Sequence, residues 1–238
     1  MCTLCGMELP AFDVPSASQT RPEEPPSSLP RGPHSLPRDV VVRSQRTRML
    51  RALIEVVAEK GYVATTVADV ISRAGVSRTT FYEQFKDKED CFLIAFQKGG
   101  QAQYLKVIEA VNSATDPLEQ LRRNVRAYLS ELIAFPASAR AFLLEVPAAG
   151  PRALAVHDSI VDGYARLLAH LYDRFRERRE ELPELPAEVF RAAVAAVDDL
   201  VLCAIRAGRL DELAELEPLA TYVELAMFGL PEAAAFLP

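Results

Sequence analysis

The sequence predicts an all-α protein: a three-helix N-terminal unit containing a helix-turn-helix, followed by six further helices. Three observations carry this. Apolar residues recur at helical spacing along most of the chain, with no sustained strand-like alternation. Prolines and glycines fall between the apolar stripes, as at Pro117, Pro136, Gly150-Pro151, Pro186, Gly208 and Gly229. The segment from Thr65 to Asp90, TTVADVISRAGVSRTTFYEQFKDKED, reads as two short helices around a tight turn, then a basic step into a third.

Taken in order, residues 1–37 hold eight prolines and no apolar periodicity, and are read as a disordered leader. A first helix is predicted over about 44–60, where Leu50, Leu53, Ile54 and Val57 form one stripe. Thr66 stands three residues before Asp69, a capping-box arrangement, so a second helix starts there. It ends at Gly75, a residue free to adopt the left-handed conformation. Ser77 then caps a third helix over about 78–84, with Phe81 and Phe85 inward and Arg78, Thr79, Tyr82 and Gln84 outward. Such a helix spans roughly 10 Å, suited to a major groove about 12 Å wide. Six further helices are predicted over about 88–113, 117–135, 138–146, 152–182, 186–208 and 211–229, with Pro186 in the first turn of the fifth and Pro218 a possible break in the last. The domains are accordingly 1–37, 38–90 and 91–238.

Composition narrows the function. The chain of 238 residues carries a net charge of −6, yet the charges are not evenly spread. Residues 38–90 hold ten Lys/Arg against eight Asp/Glu, a balance of +2, whereas residues 91–238 hold fifteen against twenty-one, a balance of −6. A local cationic face attracts phosphate even on an acidic protein, but so slight an excess argues against sequence-independent coating of DNA. No run of about 18 apolar residues is present, so no membrane span is expected, and with no secretory signal read at the start the expected location is cytoplasmic. Cys91 and Cys203 lie in helical patterns as packing residues, while Cys2 and Cys5 form a CxxC pair in the leader with only His34 nearby, too few ligands for zinc. No metal and no cofactor are expected. His34, His157 and His170 are scattered, and neither a nucleophile elbow nor a phosphate loop accompanies them, which leaves catalysis without support.

Gly61-Tyr62, Thr65-Thr66-Val67, Ala74-Gly75-Val76-Ser77, Phe81-Tyr82, Phe85 and Lys86-x-Lys88-Glu89, preceded by the first helix, together resemble the N-terminal domain of TetR-family transcriptional regulators over about fifty residues. The resemblance implies a homodimeric regulator released from a double-stranded, palindromic operator by an unknown small-molecule effector, acting as a repressor. A sensor or carrier of the same fold without DNA function is the alternative. It places Arg78 and Thr79 at base edges, with Arg78 as a phosphate clamp the second option, and Tyr82 and Lys86 at phosphates. Ser77, Thr80, an arm containing Arg43 and Arg46, and Thr66 as cap or phosphate donor complete the set. Gln84 stands where relatives often have histidine or tyrosine, so its role stays open between adenine, phosphate and solvent.

In the second part the resemblance is architectural: it implies that the three-helix N-terminal helix-turn-helix DNA-binding domain is followed by a six-helix ligand-binding and dimerisation domain. Tyr104, Asn124, Tyr128, Phe142, His157 and Tyr164 are candidate ligand contacts, Asn124 and His157 because each interrupts an apolar stripe and needs a polar partner if buried. His170 is read as solvated. Gly99-Gly100 weaken the helix leaving the reading head and are a candidate hinge, with close packing the plain alternative. The last two helices supply a candidate dimer face through Ala192, Ala193, Ala195, Ala196, Val189, Val197, Val201, Val223, Met227 and Phe228.

Overall fold

The structure, a computed structural model, describes residues 37–236; the predicted leader, with Cys2, Cys5 and His34, lies outside the described residues apart from Pro37. Among the described residues there are ten α-helices, two 3-10 segments and no strand. The helices are α1 (Arg38–Lys60), α2 (Val67–Ala74), α3 (Arg78–Tyr82), α4 (Lys88–Asn112), α5 (Pro117–Ala134), α6 (Pro136–Leu144), α7 (Val146–Ala149), α8 (Pro151–Arg176), α9 (Ala187–Arg206) and α10 (Glu217–Met227).

The all-α class stands, with differences of detail that have local causes. Helix α1 begins six residues before the predicted start, because Pro37 sets the entry and the Asp39 carboxylate lies in the first turn, bonded to Arg43 four residues on. Helix α3 is shorter than predicted: Glu83 is its C-cap, and the Gln84 N–H bonds to the Phe81 carbonyl three residues back at 3.0 Å. The predicted six C-terminal helices are seven, because Pro147 opens a separate short helix, α7. Helix α8 stops at Arg176 rather than near residue 182, and the segment beyond folds back so that the Tyr172 hydroxyl donates to the Pro183 carbonyl at 2.9 Å. Pro218 does not break a helix: residues Leu210–Leu216 form a 3-10 segment and Pro218 sits in the first turn of α10.

Three apolar clusters hold the molecule together. One joins α1, α2 and α3 to the first turns of α4, and also takes in Ala141, Phe142, Val146, Ala149 and Ala153 from α6, α7 and α8. A second packs the rest of α4 against α8, α9 and α10 through Tyr104, Val107, Leu168, Tyr172, Phe190 and Phe228. A third joins α5 and α6 to α9 and the Leu210–Leu216 segment. Residue 90, the sequence-derived division, therefore falls inside one packed cluster rather than at a bare junction.

Gly99 and Gly100 are within the unbroken α4. A methyl group at Gly99 would meet the Phe142 ring at 2.8 Å, and one at Gly100 would meet Ile160 Cδ1 at 2.7 Å. Close approach of α4 to α6 and α8 is thus the reason for the pair, in place of a hinge. The two neighbours differ in how readily they yield. Ile160 Cδ1 is the end of a flexible chain, so Gly100→Ala should change stability little, its helix-propensity gain of about 1 kcal/mol offsetting the adjustment. The Phe142 ring is rigid and packed, so Gly99→Ala should destabilise by about 1–3 kcal/mol. Urea unfolding of the two variants checks this; equal midpoints would remove the distinction.

Candidate nucleic-acid interface and effector cavity

The reading head is built by capping. Thr66 accepts from the Asp69 N–H while the Asp69 carboxylate accepts from the Thr66 N–H at 2.8 Å, and Lys60 closes on the same carboxylate at 2.6 Å. Those bonds hold the Asp69 carboxyl far below its usual range. Because the Thr66 hydroxyl also donates to Asp69 at 2.6 Å, the capping role occupies it in this geometry. Gly75, at φ 62° and ψ 45°, is left-handed, and the Val76 N–H reaches back to the Ile71 carbonyl at 3.1 Å, so the turn closes as a Schellman motif. Ser77 accepts from the Thr80 N–H at 3.0 Å and its hydroxyl pairs with that of Thr80 at 2.9 Å.

These caps aim α3. Phe81 is fully buried, while Arg78, Thr79 and Tyr82 are exposed on the other side, Arg78 standing 5.6 Å over the Tyr82 ring. Lys86 is exposed just before α4, its N–H donating to Asp90. By contrast the carboxylates of Asp39 and of Glu55 and Glu59 engage Arg43 and Arg73. The N-terminus of α4 is a poor anion site, since Asp87, Glu89 and Asp90 crowd it and Asp87 already accepts the Asp90 N–H.

Two sequence-derived assignments change. Arg46 is not part of a free arm: its Nη1 donates to the Gln84 carbonyl at 2.9 Å and its guanidinium lies 4.6 Å over the Phe85 ring, so it buttresses the end of α3 from behind. Gln84 is not outward but half-buried, with its Oε1 enclosed and unpartnered. Its backbone carbonyl, invisible to side-chain reasoning, is what the fold uses.

Two residues whose roles the sequence did not disclose fix the head onto the rest. The Lys88 ammonium donates to the Tyr62 and Thr65 carbonyls at 2.7 and 2.9 Å and sits 4.1 Å over the Tyr62 ring; burial lowers its pKa. Glu145, between α6 and α7, accepts from the Tyr62 N–H at 2.8 Å. The turn between α1 and α2 is therefore clamped from α4 on one side and from the C-terminal helices on the other.

Behind the head, α4, α5, α6, α8, α9 and α10 enclose a cavity of about 240 Å³. Asn124, Tyr128, Phe142, His157 and Tyr164 line it. Tyr104 does not: its ring stacks edge-on against Tyr164 at 5.3 Å and its hydroxyl turns to the Gly163 carbonyl at 3.4 Å. Residues unforeseen from the sequence also line the wall, among them Asp198, which accepts from the Tyr128 hydroxyl at 2.6 Å, and Glu224. Both stand on α9 and α10 beside apolar residues, and the interruption of a stripe that drew notice to Asn124 and His157 would have found them as well. Burial raises the pKa of Asp198 and pushes Glu224 up to about 8. His170 is half-buried, with an enclosed Nε2, rather than solvated.

Caps, turn and exposed helix face define a helix-turn-helix DNA-binding protein. Residues 49–94 match the family described as bacterial regulatory proteins, tetR family. The chain is 30% identical over 116 residues to the transcriptional activator FasR of Mycolicibacterium smegmatis, covering 49% of this chain and 51% of that one, so the match spans about half the relative's length. FadR of Bacillus halodurans, a fatty acid degradation regulator, has a solved structure at TM-score 0.68 and 25% identity, covering 76% of this chain and 94% of its own. FadR of Bacillus subtilis, solved with stearoyl-CoA, gives TM-score 0.69 at 21% identity, covering 76% and 98%. Residues 49–94 thus resemble the N-terminal domain of TetR-family regulators, and the fold over about three quarters of the chain is similar to that of the FadR structures.

Two outcomes are expected. If Arg78 reads a base, Arg78→Ala should cost about 1–3 kcal/mol on the preferred duplex and less on a scrambled one, whereas Lys86→Ala should weaken both alike; binding titrations on the two duplexes tell them apart. Glu224 bears on pH. Its folded pKa of about 8 lies above the ordinary 4.5. The unfolded chain ionises first, so folding loses stability as pH rises from about 4.5 to about 8 and nothing further beyond. Glu224→Gln should remove that slope, and by pH 8 should be the more stable by an amount on the order of a few kcal/mol, read from denaturant midpoints across pH.

Proposed function

We propose that the chain is a homodimeric, ligand-released repressor acting on a palindromic operator, with an effector of apolar body bound in the cavity. The observation that carries this is the sharing of α4. Its first turns belong to the reading-head cluster, and Gly99 and Gly100 further along touch Phe142 and Ile160, which also line the cavity. A ligand that pushes Phe142 or Ile160 outward moves α4, and with it the Lys88 clamp on the turn between α1 and α2. The coupling such regulators need is modest, about 1–3 kcal/mol.

Arg78, Thr79 and Tyr82 are the proposed reading surface of α3, with Lys86 and Arg43 at the flanks; Ser77, Thr80 and Thr66 serve it through caps. A five-residue helix offers few side chains to bases, which favours two copies on successive major grooves. On α9 and α10, Ala192, Ala195 and Leu219 are exposed and Val189, Ala196, Val223 and Met227 half-buried, the material of an isologous contact. Ala193, Val197, Val201 and Phe228 are buried in the subunit's own core and leave the proposed interface.

The apolar effector is supported by the lining, in which Phe96, Leu132, Phe142, Ile160, Val161 and Leu168 predominate, and by the fatty-acid role named for the FadR structures. The FasR relative is named an activator, so the direction of control depends on where the bound site lies relative to a promoter.

Selection of bound sequences from random duplex DNA tests the reading. The expected product is a palindrome with half-sites one or more helical turns apart, bound by two copies. Failure to enrich any sequence would favour the sensor or carrier without DNA function.

A further inference from the structure

The cavity has a mouth and a floor of different character. Phe135, more than half exposed, and exposed Ala102 mark the mouth, whereas Asn124, Tyr164 and Glu224 are each over nine-tenths buried at the floor. The floor is polar and unfinished. Asn124 Oδ1, Glu224 Oε2 and the Tyr164 hydroxyl all lack a hydrogen-bond partner within the protein, and beside them the Tyr128 hydroxyl is already spent on Asp198. Glu131, Asp198 and Glu224 line the wall with His157, and neither lysine nor arginine does.

That inventory discriminates between ligands. A chain inserted methyl-first would cover orphaned polar atoms without pairing them, which is the unfavourable way to bury them. A carboxylate inserted head-first would meet the Glu131 and Asp198 carboxyls, with neither lysine nor arginine to offset them, in a site of low dielectric. A group that donates hydrogen bonds finds acceptors among Asn124, Asp198 and Glu224, which line the same cavity.

We propose that the effector is an aliphatic molecule whose buried end is a hydrogen-bond donor, a hydroxyl or an amine, held by acceptors among Asn124, Asp198 and Glu224. This rests on the reading of the cavity as the effector site and adds which end of the ligand goes in. Glu224, with its pKa near 8, is protonated at neutral pH in the empty site; an ammonium group would displace that proton to solvent, whereas a hydroxyl would leave it in place.

Calorimetric titration of the full chain with 1-octanol, octylamine and octanoate, which share one alkyl length and differ in the head group, tests it. The expected result is that octanol, octylamine or both bind at least tenfold more tightly than octanoate. Repetition in buffers of different ionisation enthalpy separates the two donors, since proton release accompanies the amine alone. Octanoate binding as tightly as the others would overturn the proposal, and so would the binding of none. Glu224→Gln, which keeps an acceptor but cannot ionise, should narrow the preference for octylamine and leave that for octanol, whereas Asn124→Leu should narrow both; should Asn124→Leu fail to fold, the wild-type comparison and Glu224→Gln still decide. The DNA readout separates this from the functional reading. Octanoate preferred and DNA released leaves the regulator and removes the donor end. Octanol or octylamine preferred with DNA binding unmoved leaves the donor end and removes the regulator.

Discussion

Everything functional in this molecule hangs on one continuous helix serving two cores. From Cys91 to Phe96, α4 contributes to the cluster that holds α1, α2 and α3; from Tyr104 to Val111 it contributes to the cluster of α8, α9 and α10. Between the two lies the glycine pair, where the helix surface is stripped of side chains so that Phe142 and Ile160 come against the backbone. Packed interiors transmit displacement because they hold few voids. The close approach of Phe142 and Ile160 to the glycine pair ties α4 to α6 and α8 at the point where the two cores meet.

The reading head adds polar restraint to that packing. Lys88 and Glu145 take opposite polar groups of the same short turn: the ammonium binds the carbonyls of Tyr62 and Thr65, and the carboxylate binds the Tyr62 N–H. Backbone groups at a turn have few other partners, so satisfying them from two separate elements fixes the head's orientation as well as its stability. Arg46 adds a third restraint, from α1 to the carbonyl that ends α3. The exposed face of α3 owes its presentation to residues that do not share that face.

How much of this was legible in the sequence follows from the kind of signal each feature leaves. Caps and turns are local, and Thr66, Gly75 and Ser77 could be placed from a few neighbours. Helical stripes are equally local, hence the all-α class. Long-range contacts through the backbone leave no trace: nothing in the residue type of Gln84 indicates that its carbonyl receives Arg46, and an arginine near a first helix reads as a phosphate ligand until its partner is seen. The cavity was half legible. Asn124 and His157 betrayed themselves by breaking apolar stripes, while Tyr104 fits its stripe so well that only the packing of its ring on Tyr164 separates it from the lining. The glycine pair could be read two ways because propensity speaks of the helix alone, and the deciding atoms belong to α6 and α8.

The apolar cluster that crosses residue 90 has a consequence for building new regulators from old parts. A chimera that grafts a foreign reading head at that point would carry away Phe81, Phe85 and their neighbours while leaving Phe92, Phe142 and Val146 facing an unmatched surface. The interchangeable unit is larger than the helix-turn-helix. It includes the first turns of α4 and the apolar faces of α6 and α7, and a graft that respects that seam exchanges specificity without breaching the core.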